Sequence, residues 1–206
     1  NLPTILYNGA AIYDFKAEKT CWANNLYPGF INPLKQVMEN FPGIGVQLYN
    51  SGMIYLAAQN DYTRAHMIRE RFSATIAEVD DIPRPWNKAL LAWAPDKLQR
   101  VEEYLDKFDE PFRHVYSEAQ FLEILDKGVT KGNALKELRK LMRLTDKRII
   151  AMGDNMNDIE MIKEADVGIA VSNAHESVKA AADICCTNND MHAVSEVIDW
   201  MESGRI

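Results

Sequence analysis

Between residues 121 and 201 the chain alternates short apolar runs with amphipathic stretches, and this alternation constrains the fold more than any other feature. Arg148-Ile149-Ile150-Ala151-Met152 and Val167-Gly168-Ile169-Ala170-Val171 are unbroken, β-branched-rich runs. A strand covered on both faces needs such a run, whereas a half-exposed strand would alternate. Phe121–Leu125 opens the series as a further strand. The stretches between carry a helical period: Ala134, Leu135, Leu138, Leu141 and Met142 share one face of a helix over 131–142. Ile159, Ile162 and Ala165 do so in the next helix, Val178, Ala181 and Ala182 in a third, and Val194, Val197, Ile198 and Met201 in the last. Strand and helix in alternation predict an α/β fold with a parallel, doubly wound, Rossmann-like sheet.

The middle of the chain differs in kind. Gly45–Asn50 and Gly52–Ala57 read as two strands about an Asn50-Ser51-Gly52 turn, followed by a helix over 62–72 and a strand over 76–79. Beyond the proline-marked Pro83-Arg84-Pro85 come a strand over 88–93 and a helix over 96–108. This order predicts an α+β domain over residues 21–115, inserted into a core formed by 1–20 and 116–206. With 47% of its 206 residues hydrophobic, the chain can bury a core for each part.

Bulk charge narrows the function. A net charge of −7 opposes general nucleic-acid binding, which needs a basic surface. No apolar run approaches the length needed to cross a bilayer, and no charged-then-apolar leader opens the chain, so the expectation is a cytoplasmic protein with no membrane partner. Cys21, Cys185 and Cys186 have no metal-ligand spacing and read as reduced thiols. His66, His114, His175 and His192 are scattered, and Trp22, Trp86, Trp93 and Trp200 read as packing residues. Arg84, between two prolines, is a candidate for facing a substrate.

Two segments carry chemistry. Gly153-Asp154-Asn155-Met156-Asn157-Asp158 follows a buried strand and opens a helix, the corner at which open α/β sheets bind ligands. Its carboxylates and amides are hard oxygen donors of the kind Mg²⁺ takes. The bland alternative makes Asp154 a helix cap and Asp158 a solvated residue one turn on. Gly128-Val129-Thr130-Lys131-Gly132 precedes the amphipathic helix, with Thr130 its natural cap. Lys131 would lie where backbone N–H groups already favour an anion; the alternative is a solvent-exposed lysine. Together, an acidic loop and an anion-binding lysine at two corners of one sheet suit phosphoryl transfer.

With these segments in view, the chain resembles the Cof-type sugar-phosphate phosphatases of the haloacid dehalogenase superfamily. Gly128–Leu135 and Ala151–Ile162 are similar to that family's third and fourth motifs, and Gly168–Ala174 with Val178-Lys179 and Ala182-Asp183 to its next stretch. Asn8-Gly9-Ala10 resembles the lead into its inserted cap, and Phe121–Ile124 the return. The resemblance implies Mg²⁺-dependent hydrolysis of a small phosphorylated metabolite through an aspartyl-phosphate. It implies that Asp154 is a metal ligand, that Lys131 holds phosphate and nucleophile, and that Asn157 contacts the phosphate. Asp158 would support the metal shell, through water or by fixing the loop.

One departure stands out. The family's Asp-x-Asp nucleophile motif and its second-motif Ser/Thr occur nowhere in the chain, which opens at Asn1 directly in the strand-like Leu2–Asn8. The expectation is a truncated core, incomplete at its N-terminus and inactive alone, with a non-catalytic phosphate-ligand-binding or regulatory remnant as the alternative.

Overall fold

The computed structural model describes residues 2–206. In chain order its elements begin with strands β1 (Thr4–Leu6), β2 (Ala11–Asp14) and β3 (Lys19–Ala23), then α1 (Ile31–Asn40), β4 (Gly45–Asn50) and β5 (Met53–Ala58). Next come α2 (Asp61–Glu70), β6 (Thr75–Ile76), β7 (Lys88–Ala92), α3 (Pro95–Leu105), β8 (Phe112–Glu118) and β9 (Phe121–Asp126). The chain closes with α4 (Lys131–Leu141), β10 (Ile150–Gly153), α5 (Ile159–Glu164), β11 (Val167–Val171), α6 (Glu176–Ala181), β12 (Ile184–Cys186) and α7 (Ala193–Glu202). Two compact units result: residues up to Trp22 with Thr130–Ile206, and Ala23–Val129.

The first unit holds the parallel sheet, ordered β10-β11-β12, with Ile150 facing Val167 and Ile169 facing Ile184 in register. Every residue of β11 is buried, as its unbroken apolar run requires of a central parallel strand. Ile162, Val178, Val197 and Trp200 from the helices close over it. Among the described residues the outer edge of β10 has no strand partner. The strand expected at Leu2–Asn8 is shorter. It ends at Leu6, where Tyr7 and Asn8 both take positive φ, and pairs antiparallel with β2.

Of the face expected to be buried in helix α7, only Val197 turns inward. Ala193, Val197 and Trp200 are inside, while Val194, Ile198 and Met201 are about half exposed or more. Both sets share a helical period, and the larger area of Trp200 decides which one turns inward. Leu141, expected on the inner face of α4, is likewise exposed.

The second unit is a six-stranded sheet ordered β6-β5-β4-β7-β9-β8, antiparallel except for β5 with β6. Alternation along its strands sends Val46, Leu48, Ala89, Leu91, Leu122 and Ile124 into one core with Leu34 and Val37 of α1 and Leu98 and Val101 of α3. Here the structure revises the domain reading. Residues 112–126, assigned from the sequence largely to the α/β core, form β8 and β9 of this sheet, with Ala89 opposite Ile124 and Leu91 opposite Leu122. The chain re-enters the first unit at Thr130, not at residue 116. Phe121–Leu125 read as a parallel strand because both its faces are covered, which is equally true of an antiparallel strand inside this sheet.

The other face of that sheet is polar yet buried. Lys88 pairs with Glu123 at 2.8 Å and lies 4.5 Å over the Tyr49 ring, while His66 Nδ1 meets Gln47 Oε1 at 2.9 Å. Burial lowers the pKa of His66, and the nearby Arg69 and Lys88 charges push the same way against Glu70 and Glu118. The unfolded imidazole takes up its proton near pH 6.5, the folded one only at lower pH, so in that interval unfolding binds protons. The urea midpoint, followed through Trp86 and Trp93, is therefore expected to fall as pH drops from 7 to 5.5. A His66→Gln variant should flatten that slope.

Candidate active site

At the N-terminus of α4, Thr130 Oγ1 accepts from the backbone N–H of Asn133 at 2.9 Å, so Thr130 is the cap the sequence predicts. Lys131 then occupies the first helical position, and its ammonium donates to Asp158 Oδ1 at 2.5 Å. Asp158 is buried; its Oδ2 accepts from the N–H groups of Asp154 at 3.0 Å and Asn155 at 3.1 Å. Both oxygens are thus engaged, one by Lys131 and one by the loop. Burial works against ionisation of Asp158, but the Lys131 ammonium and the two N–H groups outweigh it and hold the carboxyl below its ordinary range.

Two close backbone approaches fix these parts. A Cβ on Gly132 would stand 2.5 Å from Glu160 O, so α4 and α5 touch main chain to main chain. On Gly153 it would stand 2.4 Å from Asp158 Cβ, so only glycine lets the loop fold back over this carboxylate. A third link is invisible in sequence. Asn157 Nδ2 donates to Asn8 Oδ1 at 3.0 Å across 149 positions, and Gly9 beside it lies against the Thr130–Lys131 peptide. Asn157 Oδ1 is buried with no hydrogen-bond partner.

Lys131, Asp154 and Asp158 line one cleft of about 480 Å³ with Ile5, Asn8, Gly9, Met152, Gly153, Met161, Val171 and Asn189. The two sequence segments singled out for chemistry therefore converge. Asp154 is exposed, and its side chain joins none of the hydrogen bonds or ion pairs among the described residues. No cluster of three or more His, Cys, Asp or Glu side chains suited to a metal forms among them either. The donor set fits a cation that takes one protein carboxylate and fills its shell with water and phosphate oxygens, as Mg²⁺ does. It does not fit a metal that needs a full protein cage. Asp158, its oxygens spent on Lys131 and the loop, is built to fix the loop.

The remaining candidates lie elsewhere. Arg84 stacks over the Trp86 ring at 5.3 Å, His114 meets Asp106, and His175 Nδ1 accepts from Ser177 N–H at the start of α6. Glu102 accepts from Tyr116 O–H at 3.1 Å. Cys186 is buried and Cys185 exposed, both free thiols. Sequence reasoning gave no site role to Asn8 or Asn189, which carry no charge and no spacing signal. No helix among the described residues is long and apolar enough to cross a membrane.

Comparison with known proteins agrees with this fold. A haloacid dehalogenase-like hydrolase from Bacteroides thetaiotaomicron, solved by crystallography, superposes with a TM-score of 0.82 at 28% identity, over 95% of this chain and 74% of that one. The phosphoglycolate phosphatase of Methanobrevibacter smithii is 37% identical over 97 residues, 47% of this chain and 39% of that enzyme. The 5-amino-6-(5-phospho-D-ribitylamino)uracil phosphatase of Escherichia coli is 37% identical over 78 residues, 38% of this chain and 29% of that enzyme. Each of these two matched segments covers less than half of the phosphatase concerned. The sequence profile of the haloacid dehalogenase-like hydrolases matches residues 1–198, and the chain belongs to that family.

Proposed function

We propose that the chain carries the metal- and phosphate-binding half of a Mg²⁺-dependent phosphohydrolase for a small phosphorylated metabolite. The observation that carries this reading is the meeting of Lys131 and the Asp154 loop on one cleft. Asp154 would hold Mg²⁺, which when bound neutralises charge on a phosphoryl oxygen. The Lys131 ammonium would share itself between Asp158 and that phosphoryl group, and Asn157, which does not line the cleft, would shape the phosphate pocket through its hydrogen bond to Asn8. The unit inserted between Trp22 and Thr130 is assigned to substrate choice.

An aspartyl-phosphate needs a carboxylate free to attack phosphorus. Asp154 is reserved for the metal in this reading, and Asp158 has both oxygens engaged. We assign the attack to an aspartate outside these 206 residues, on a strand that would pair with the open edge of β10. The absence of any Asp-x-Asp in the chain favours a second reading, a phosphate-ligand binder without turnover.

Both readings require binding. Lys131→Ala is expected to weaken inorganic phosphate binding about tenfold or more, the worth of a charge-assisted hydrogen bond. Asp154→Ala should abolish the Mg²⁺ dependence of that binding; calorimetric titration measures both. Turnover separates the readings. A longer product of the same gene carrying Asp-x-Asp should hydrolyse p-nitrophenyl phosphate with Mg²⁺, whereas this chain alone should not. Hydrolysis by this chain, lost on Asp154→Ala, would contradict the assigned nucleophile. A start codon adjoining Asn1 would favour the binder.

A further inference from the structure

The parallel sheet of the first unit presents three strand ends to the cleft. Gly153 ends β10, Val171 ends β11, and Asn189 lies three residues beyond β12; all three line the same cavity as Lys131 and Asp154. Ligands of open α/β sheets bind beyond such carboxyl ends. Lys131 and Asp154 account for the β10 side. On the β12 side the one polar lining residue is Asn189.

The orientation of the Asn189 carboxamide follows from hydrogen-bond logic. The backbone N–H of Asn189 donates to Asn173 at 3.1 Å, so the atom receiving it must be the side-chain oxygen of Asn173. The Asn173 amide nitrogen, necessarily the other atom, then donates at 2.9 Å to Asn189. Only an oxygen can accept there, which turns the Asn189 oxygen inward and leaves its NH₂ as the outward group. Flipping either amide would set two donors or two acceptors against each other. Ser172 N–H ties the two loops by donating to Thr187 O at 3.3 Å, and within the second loop Asp190 N–H donates to Asn188 Oδ1 at 2.8 Å. Nδ2 of Asn189 has no hydrogen-bond partner among the described residues, and the side chain is exposed. A donor already held in place costs little entropy when a ligand meets it.

We propose that Asn189 is a specificity-determining residue of this site, donating through Nδ2 to a hydroxyl or carbonyl oxygen on the organic part of a phosphate monoester. The inference rests on the phosphate-site reading above. β12 lies two strand spacings from β10, roughly 10 Å. A phosphoryl group held by Lys131 beside Asp154 ends well short of that, so Asn189 meets atoms beyond the ester oxygen. Asn173 is a positioning residue, acting only by setting the amide.

The test uses the whole chain in saturating Mg²⁺, titrated calorimetrically with inorganic phosphate and with ribose 5-phosphate. Asn189→Ala is expected to weaken ribose 5-phosphate binding about five- to tenfold, the size of one neutral hydrogen bond, while inorganic phosphate stays within twofold. Asn189→Asp should fall further on the sugar phosphate, because a carboxylate cannot donate. Asn173→Ala should reproduce part of the loss. Unchanged ribose 5-phosphate binding in Asn189→Ala overturns the proposal, as does an equal loss for both ligands or equal affinity of the unmodified chain for the two. Lys131→Ala tests the underlying site separately. If that variant binds both ligands as tightly as the unmodified chain, the phosphate reading itself fails, whatever Asn189 does.

Discussion

Asp158→Ala is expected to lower the stability of the first unit by about 3 kcal/mol, the low end for breaking a buried ion pair, because Lys131 keeps some contact with water. The variant strands three donors at once: the Lys131 ammonium and the N–H groups of Asp154 and Asn155. Asp158→Asn should cost less, since its remaining oxygen can still serve the loop while its new NH₂ faces the ammonium. Adding Lys131→Met to either variant should recover part of the loss, and the double-mutant cycle isolates the pair. Urea unfolding followed at Trp200 measures each value. The same carboxylate sets an acid limit. Its folded pKa lies below the ordinary 3.8, so its contribution is complete above that value and is lost as pH falls through the folded pKa. Acid unfolding of the unmodified chain should therefore steepen below about pH 4, and Asp158→Asn should remove that component. An unchanged urea midpoint for Asp158→Ala would mean that the loop does not depend on this carboxylate.

Gly9→Ala should be at least as damaging, at about 3–5 kcal/mol. Its φ of +103° is backbone that residues with a Cβ avoid, which costs about 1–3 kcal/mol alone. The added Cβ would also stand 2.3 Å from Thr130 O and 3.0 Å from Lys131 N, atoms of the main chain that cannot rotate away. Overpacking of that kind costs about 1–3 kcal/mol more. Gly204→Ala is the natural control, because Gly204 also has positive φ, +72°, but a Cβ there meets nothing within 4 Å. The difference between the two losses measures the contact with α4 alone. Where Gly9→Ala still folds, Lys131 must shift, so its phosphate affinity should drop although no ligand-facing side chain has changed. Equal losses at the two glycines would show that the contact at Thr130 relaxes freely.

The parts of the molecule that were legible in sequence share a physical reason. β11 and the Gly153–Asp158 corner announce themselves because a strand covered on both faces must be apolar throughout, and its end must turn sharply. Lys131 was visible for a similar reason, a cation placed at the wrong end of a helix. What escaped notice depends on partners far along the chain. α1 received no sequence reading; its Pro33 sits in the first turn, where its missing N–H is not needed. β8 is half-buried along its whole length and shows no alternation to detect. The Asn8–Asn157 bond joins two uncharged residues at opposite ends of the chain, and the Asn173–Asn189 pair is fixed by loop geometry. No periodicity or charge pattern encodes either contact.

If the proposed phosphate and cation sites hold, the engagement of Lys131 by Asp158 also bears on the order in which those ligands would arrive. The cleft is lined by two carboxylates and one ammonium, so its own charge is negative before anything binds. A phosphate dianion approaching alone would be repelled by Asp154 and would find the ammonium already committed. In the proposed reading, a divalent cation at Asp154 would reverse that sign, which would make it the leading ligand and the phosphate the follower. Reciprocity then requires that phosphate tighten the cation by the same factor with which the cation tightens phosphate. On that reading phosphate and metal would leave most readily in the opposite succession, with the anion departing first.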